Sequence, residues 1–322
     1  MKRKIVVSMA LVLAMLDITV LFALARSRYF SHLAFCTIRE SSFLEDFQWD
    51  PAHAPEFFRF EPLEAVRDFR QELPADIIRM RNTDDQILAI ARYADTLYAQ
   101  AHQTTPLVWG PPAKLLAQAK QGAEGLHCFH RSIILSSFLA SAGIPSRLWA
   151  FEGACFDGNA HTVTEAYSYG SDTWILIDSM LGCYARAGDT LLSCLEARRR
   201  ILTGDMNGVS FFNLEGRDLP NAQNIIARYR ELMPCALQRC RNDFARMFAE
   251  GRRYGFLSFL SPLFDTSPNS MRIGLGYLFG DSGVFLHYTD RYSSHVSITA
   301  FLIKAAFFLL LIAHIVVFAA RS

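Results

Sequence analysis

The sequence predicts an α+β fold in which a helix packs on an antiparallel sheet, and three observations carry the prediction. Residues 128–143, CFHRSIILSSFLASAG, set Ile133, Ile134, Phe138 and Leu139 on one helical face and stop at Gly143, with Pro145 just beyond as a terminator. Three strand-like runs follow, SRLWAFEG, AHTVTEAYSYG and DTWILID, whose alternation and β-branched or aromatic content suit a meander. Gly170 to Asp172 mark the turn between the last two. Upstream, Ile87, Ile90, Ala94, Leu97 and Ala101 recur at helical spacing behind a capping-box pair, Thr83 and Gln86.

The chain ends are apolar. Residues 5–25 contain one charge, Asp17, and follow Lys2, Arg3 and Lys4. At about 1.5 Å per residue the run crosses a hydrocarbon core of about 30 Å. Ala23-Leu24-Ala25 resembles a signal-peptide cleavage site, but the run is longer than the usual apolar region of about 7 to 15 residues, so it reads as an uncleaved anchor. Residues 298–320 form a second run, broken by Lys304 and His314. Two terminal transmembrane helices are therefore expected, with Asp17 and Lys304 at similar depth. Either the two pair, or Lys304 snorkels while Asp17 is protonated.

This divides the chain into an N-terminal anchor (1–28), an irregular aromatic-rich connection (29–82), a core (83–190), a mainly helical Arg-rich extension (191–296) and a C-terminal transmembrane helix (297–322). Antiparallel spans in a lipid bilayer place the core on one side, and the basic ends favour the extracytoplasmic one, periplasmic or extracellular.

Lys+Arg 32 against Asp+Glu 31 leaves a net charge of +1, without the basic excess of a phosphate-neutralising protein, so no nucleic-acid partner is expected. No internal repeat, Walker loop, dinucleotide fingerprint or paired-cysteine zinc spacing is present. Seven cysteines, at 36, 128, 155, 183, 194, 235 and 240, form no scaffold pattern in 322 residues, and if oxidised their odd number leaves a thiol over. Cys235 and Cys240, five apart in a stretch that reads as helical, point apart and make poor mutual partners. Arg198, Arg199 and Arg200 read as a solvated helix face, Trp149 and Trp174 as core, and Arg147 with Glu165 as a structural salt bridge between strands.

The chemistry lies in the core. Cys128 opens a helix, His161 heads a strand, and Asp178 ends the next strand. A helix N-terminus carries partial positive charge and favours thiolate. Pairing of the two strands brings His161 and Asp178 together at one end of the sheet, which supplies a nucleophile, a base and an orienting carboxylate. An oxyanion hole needs the cysteine N–H and a side-chain donor, for which Gln121 and Trp109 are candidates. His127 and His130 have a spacing that could hold a metal, but with no second cluster or nearby carboxylate no metal is expected, and no organic cofactor is required.

These residues resemble the transglutaminase-like superfamily of papain-type thiol enzymes. Its pattern runs Gly and Cys opening a helix, a Gly-Ile-Pro-x-Arg turn, His-x-Trp-x-Glu on a strand and then Trp-x-x-x-Asp. Gly143, Ile144, Pro145 and Arg147 match the turn, His161 and Glu165 the strand, and Trp174 with Asp178 the last element. The resemblance spans residues 83–185. It implies a papain-like core with a catalytic triad of Cys128, His161 and Asp178, acting on a protein, peptide or other amide or ester substrate. The thioester would be resolved by water, as in a cysteine protease or amidase, or by an amine, as in acyl transfer. Gly125 stands three residues before Cys128 where the family usually has two, Val163 replaces a Trp, and Ser179-Met180 replaces Pro-Thr, which leaves the substrate class open. The alternative is a non-catalytic membrane scaffold that keeps the fold and holds a membrane or envelope partner protein in an envelope or polysaccharide assembly, because fold does not fix function.

Overall fold

A computed structural model describes residues 37–99, 110–123, 126–153, 160–251 and 284–289, with helical pieces at 12–17, 305, 309–310, 312–314 and 316. In chain order the elements are β1 (Thr37–Ser41), α1 (Arg67–Glu72), α2 (Ala75–Ile78), α3 (Thr83–Ala99), α4 (Pro112–Lys120), α5 (Cys128–Ser141), β2 (Ser146–Glu152), β3 (His161–Ser168) and β4 (Thr173–Asp178). They continue as β5 (Cys183–Ala187), β6 (Thr190–Leu191), α6 (Cys194–Thr203), β7 (Val209–Asn213), α7 (Ala222–Leu232), β8 (Cys235–Arg239), α8 (Phe244–Gly251) and β9 (Val284–Tyr288).

The α+β core is present. Among the described residues nine strands form one sheet in the order β1-β9-β8-β2-β3-β4-β5-β6, with β7 also paired to β5. The β1–β9 pair is parallel, and the other pairs are antiparallel. Strand alternation sends Leu148, Ala166, Ile175 and Ile177 to one face, against Ile133, Ile134, Phe138 and Leu139 of α5 and Ile87 and Ile90 of α3. It sends Trp149, Phe151, Val163, Trp174 and Leu176 to the other, against Leu195 and Ile201 of α6 and Ile225 and Tyr229 of α7. Both faces are covered, which is why β2, β3 and β4 are buried almost throughout.

The turn after α5 shows why its residues are what they are. Gly143 takes φ +81°, a left-handed value that a Cβ would strain. Its N–H donates to Ala140 O and that of Ile144 to Leu139 O, both at 2.9 Å, which closes the helix end and buries Ile144. One local expectation shifts by a residue. Asn82, not Thr83, caps α3, its Oδ1 accepting from Asp84 N at 2.9 Å, while Gln86 Nε2 reaches Ile77 O. The β3–β4 turn includes the expected residues 170–172, and Asp172 takes a left-handed conformation there.

The larger corrections lie at the flanks. Among the described residues no helix is long and apolar enough to cross a membrane, so the two terminal transmembrane helices expected from hydropathy are not shown. The described N-terminal helical piece covers residues 12 to 17, and the rest of that apolar run lies outside the described residues. Asp17 Oδ2 lies 2.8 Å from His314 Nε2; the expected partner Lys304 is outside the described residues. Within the extension, the described residues mix helix and strand. The stretch expected to continue a helix past Pro234 is β8, an inner strand paired to β2, because CALQR, buried at every position, has both faces covered.

Arg198 is not solvated: it is 1% exposed and donates to Met233 O at 2.6 Å and Pro234 O at 2.7 Å at the end of α7, while Arg199 and Arg200 pair with Glu196. Cys240 is free and Cys235 is disulfide-bonded, in keeping with side chains that point apart.

Glu61 is buried and lies 3.2 Å from Ala245 N at the start of α8. Burial pushes its carboxyl up to about 7, against the pull of the Ala245 and Phe244 amides and with a further push from Asp243. The native chain therefore holds a proton that the unfolded chain has released. This contribution to stability is complete below the usual carboxylate range and is lost as pH rises through 7. Glu61→Gln is expected to gain on the order of 3 kcal/mol over wild type between pH 4.5 and pH 8. Denaturant midpoints at the two pH values check it, and identical pH slopes for both proteins would refute it.

Candidate active site

Three elements converge at one end of the sheet. His127 precedes α5 in extended conformation, so Cys128 is the first helical residue and sits in the positive field of the helix N-terminus. The helix docks on β3 through Ser132, whose Oγ donates to Thr162 O at 3.3 Å. This sets the half-buried Cys128 Sγ 3.8 Å from Ala160 O, next to His161, with whose ring the sulfur interacts. The β3–β4 hairpin pairs Thr164 with Ile177, which brings the head of β3 to the end of β4. There His161 Nε2 lies 2.6 Å from Asp178 Oδ2, which leaves Nδ1 as the ring nitrogen that can face the sulfur. His161 is 12% exposed and Asp178 is fully buried.

Asp178 is saturated with donors. Oδ1 accepts from the N–H groups of Met180 and Leu181, both at 2.9 Å, and Oδ2 accepts from His161 and from the Tyr229 hydroxyl. Burial works against its ionised form, but His161, Tyr229 and the Leu181 amide outweigh it and hold the carboxyl below its usual range. Burial alone would lower His161; the Asp178 charge and hydrogen bond, with help from Cys128, raise it to about 10. Burial would raise the Cys128 thiol, yet the His161 hydrogen bond and charge and the Thr162 and Phe129 amides bring it below its ordinary value. The arrangement can hold a thiolate against an imidazolium.

Two contributors were not legible in the sequence. Tyr229 arrives from α7, 51 residues after its partner. Arg131, one turn into α5, donates to Leu126 O and Ser179 O, both at 3.3 Å, and so ties the approach to Cys128 to the turn after Asp178. Its guanidinium lies 4.7 Å over the Tyr98 ring. Helical spacing marks Tyr229 as core-facing with Ile225, Ile226 and Leu232, but nothing in the sequence gives its partner.

Of the oxyanion candidates, Gln121 caps the C-terminus of α4 with an exposed side chain, and no described hydrogen bond joins that side chain to the triad; Trp109 lies outside the described residues. His130 accepts from His127 N at 3.2 Å, and burial, with the nearby His127, lowers it to about 4. Among the described residues no group of three or more His, Cys, Asp or Glu is placed to hold a metal ion.

Arg147 and Glu165 form the inter-strand salt bridge, at 2.6 Å and buried, and Trp149 and Trp174 are core. No protein-family model, curated protein or solved structure matches this chain, so the reading of the site rests on its own geometry.

Proposed function

We propose that this chain is a transglutaminase-like thiol enzyme that cleaves or transfers acyl groups from an amide or ester of a protein, peptide or related substrate. The observation that carries the reading is the continuous relay from Cys128 at a helix start, through His161, to a buried carboxylate 2.6 Å away. The Cys128 thiolate attacks the carbonyl carbon, and the C–N or C–O bond breaks as the His161 imidazolium gives its proton to the leaving amine or alcohol. His161, now neutral, takes a proton from water or from an incoming amine, which attacks the thioester. Water yields the free acid, an amine yields the transferred acyl group, and both restore the thiol. Asp178 keeps the ring oriented and supports its positive charge.

A thiol-directed acyl probe tests the proposal. Wild type is expected to be labelled at neutral pH, Cys128→Ala to lose the label, and a variant lacking the other six cysteines to keep it. Labelling that survives Cys128→Ala would contradict the assignment. Full complementation by Cys128→Ala would point instead to a non-catalytic, partner-binding role. Product mass separates hydrolysis from amine transfer.

A further inference from the structure

Within the thiol-enzyme reading, we propose that Tyr229 is a positioning residue of this site, one that draws charge from the Asp178 oxygen facing His161 so that the imidazole can release its proton as well as hold it. Tyr229 is fully buried, and Ile225, Ile226 and Leu232 anchor its helix against the sheet. Its ring lies 6.0 Å from the His161 ring and 5.7 Å from that of Phe211. Its hydroxyl donates to Oδ2, the oxygen that also takes the His161 bond.

The two backbone N–H groups on Oδ1 already orient the carboxylate. A further donor on Oδ2 therefore changes how strongly that oxygen attracts the ring rather than where it points. A general acid works best when its affinity for the proton lies near the working pH, and a buried carboxylate 2.6 Å from an imidazole holds the ring well above that. Sharing Oδ2 with a phenol weakens the hold. Among the described residues, the other titratable groups facing this cluster are Cys128 beside His161, Cys183, whose side chain shares a hydrogen bond with Tyr229, and Cys194; burial keeps the last two thiols protonated.

The test needs no substrate. The pH dependence of Cys128 alkylation by chloroacetamide has an upper inflection where the His161 imidazolium loses its proton, and the His161 ring N–H gives a downfield proton resonance. Tyr229→Phe keeps the ring and removes only the hydroxyl. It is expected to move the upper inflection up by roughly half a unit to one unit and the resonance further downfield, because the carboxylate then holds the ring more tightly. Site-specific 3-fluorotyrosine at 229, a stronger donor of native shape, is expected to move both the other way, which keeps the proposal testable should the phenylalanine variant fold poorly.

A fluorotyrosine or phenylalanine variant that melts earlier while inflection and resonance stay put would overturn the positioning role and leave the thiol-enzyme reading standing. A wild-type Cys128 that alkylates as an ordinary thiol, with no downfield imidazole proton, would overturn both.

Discussion

Replacing His161 with alanine is expected to reduce Cys128-dependent turnover by roughly 10⁴- to 10⁶-fold, the range of losses when one member of a nucleophile–base–acid unit is removed. The cause can be followed group by group. The thiol loses the hydrogen bond and charge that hold it below its ordinary value, and burial is left to push it up against only the Thr162 and Phe129 amides. The thiolate population at neutral pH then collapses, so alkylation of Cys128 at pH 7 should slow by roughly tenfold or more. The leaving group also loses its proton source, so turnover should fall further than alkylation. Asp178 is left fully buried without its ring partner but keeps Tyr229 and two amide donors, so the fold should survive. Steady-state rates and a chloroacetamide pH profile check the result; an unchanged profile would remove His161 from the reaction.

The largest loss of stability is expected from Arg147→Met. Arg147 is 2% exposed, its Nε donates to Glu165 Oε2 at 2.6 Å, and its guanidinium packs 4.0 Å over Trp174 and 4.8 Å over Trp49. Glu165 is fully buried and also accepts from Trp149 Nε1 and, at 2.6 Å, from the backbone N–H of Cys194. Methionine keeps most of the volume but leaves that carboxylate without its counter-charge in an aromatic interior. Loss of one partner of a buried pair costs about 3–5 kcal/mol, a large share of the roughly 5–15 kcal/mol that a domain commands. Arg147→Met/Glu165→Gln, which removes both charges, should recover much of it, and denaturant midpoints of the two singles and the double give the coupling. A loss below about 1 kcal/mol in the single variant would show that the pair is not held as a charged one.

What could be read from the sequence was local. Gly143, Ile144 and Pro145 mark a helix stop that backbone geometry makes necessary, and the alternation in β2, β3 and β4 survives because the two faces bury different side chains. The order of Cys128, His161 and Asp178 carries information because a helix start and a hairpin bring them together within fifty residues of chain. Tyr229 and Arg131 escaped because their significance is set by partners elsewhere: a phenol on an amphipathic helix looks like core, and an arginine near a helix start looks like surface. CALQR escaped because its polar Gln238 and Arg239, buried in the sheet, sit equally well in a helical pattern. Hydropathy marked the chain ends, most of which lie outside the described residues.

The strands do not lie in the sheet in the order in which they are synthesised. Strand β8 inserts beside β2 although 82 residues separate Glu152 from its partner Cys235 in β8, and the helix carrying the phenol on Asp178 comes just before it. A ribosome-bound chain that has emitted sulfur, imidazole and carboxylate still has an open strand edge and an acid missing one of its four donors. The carboxylate's fourth donor and the strand that pairs with the edge of β2 therefore both come from residues after position 221.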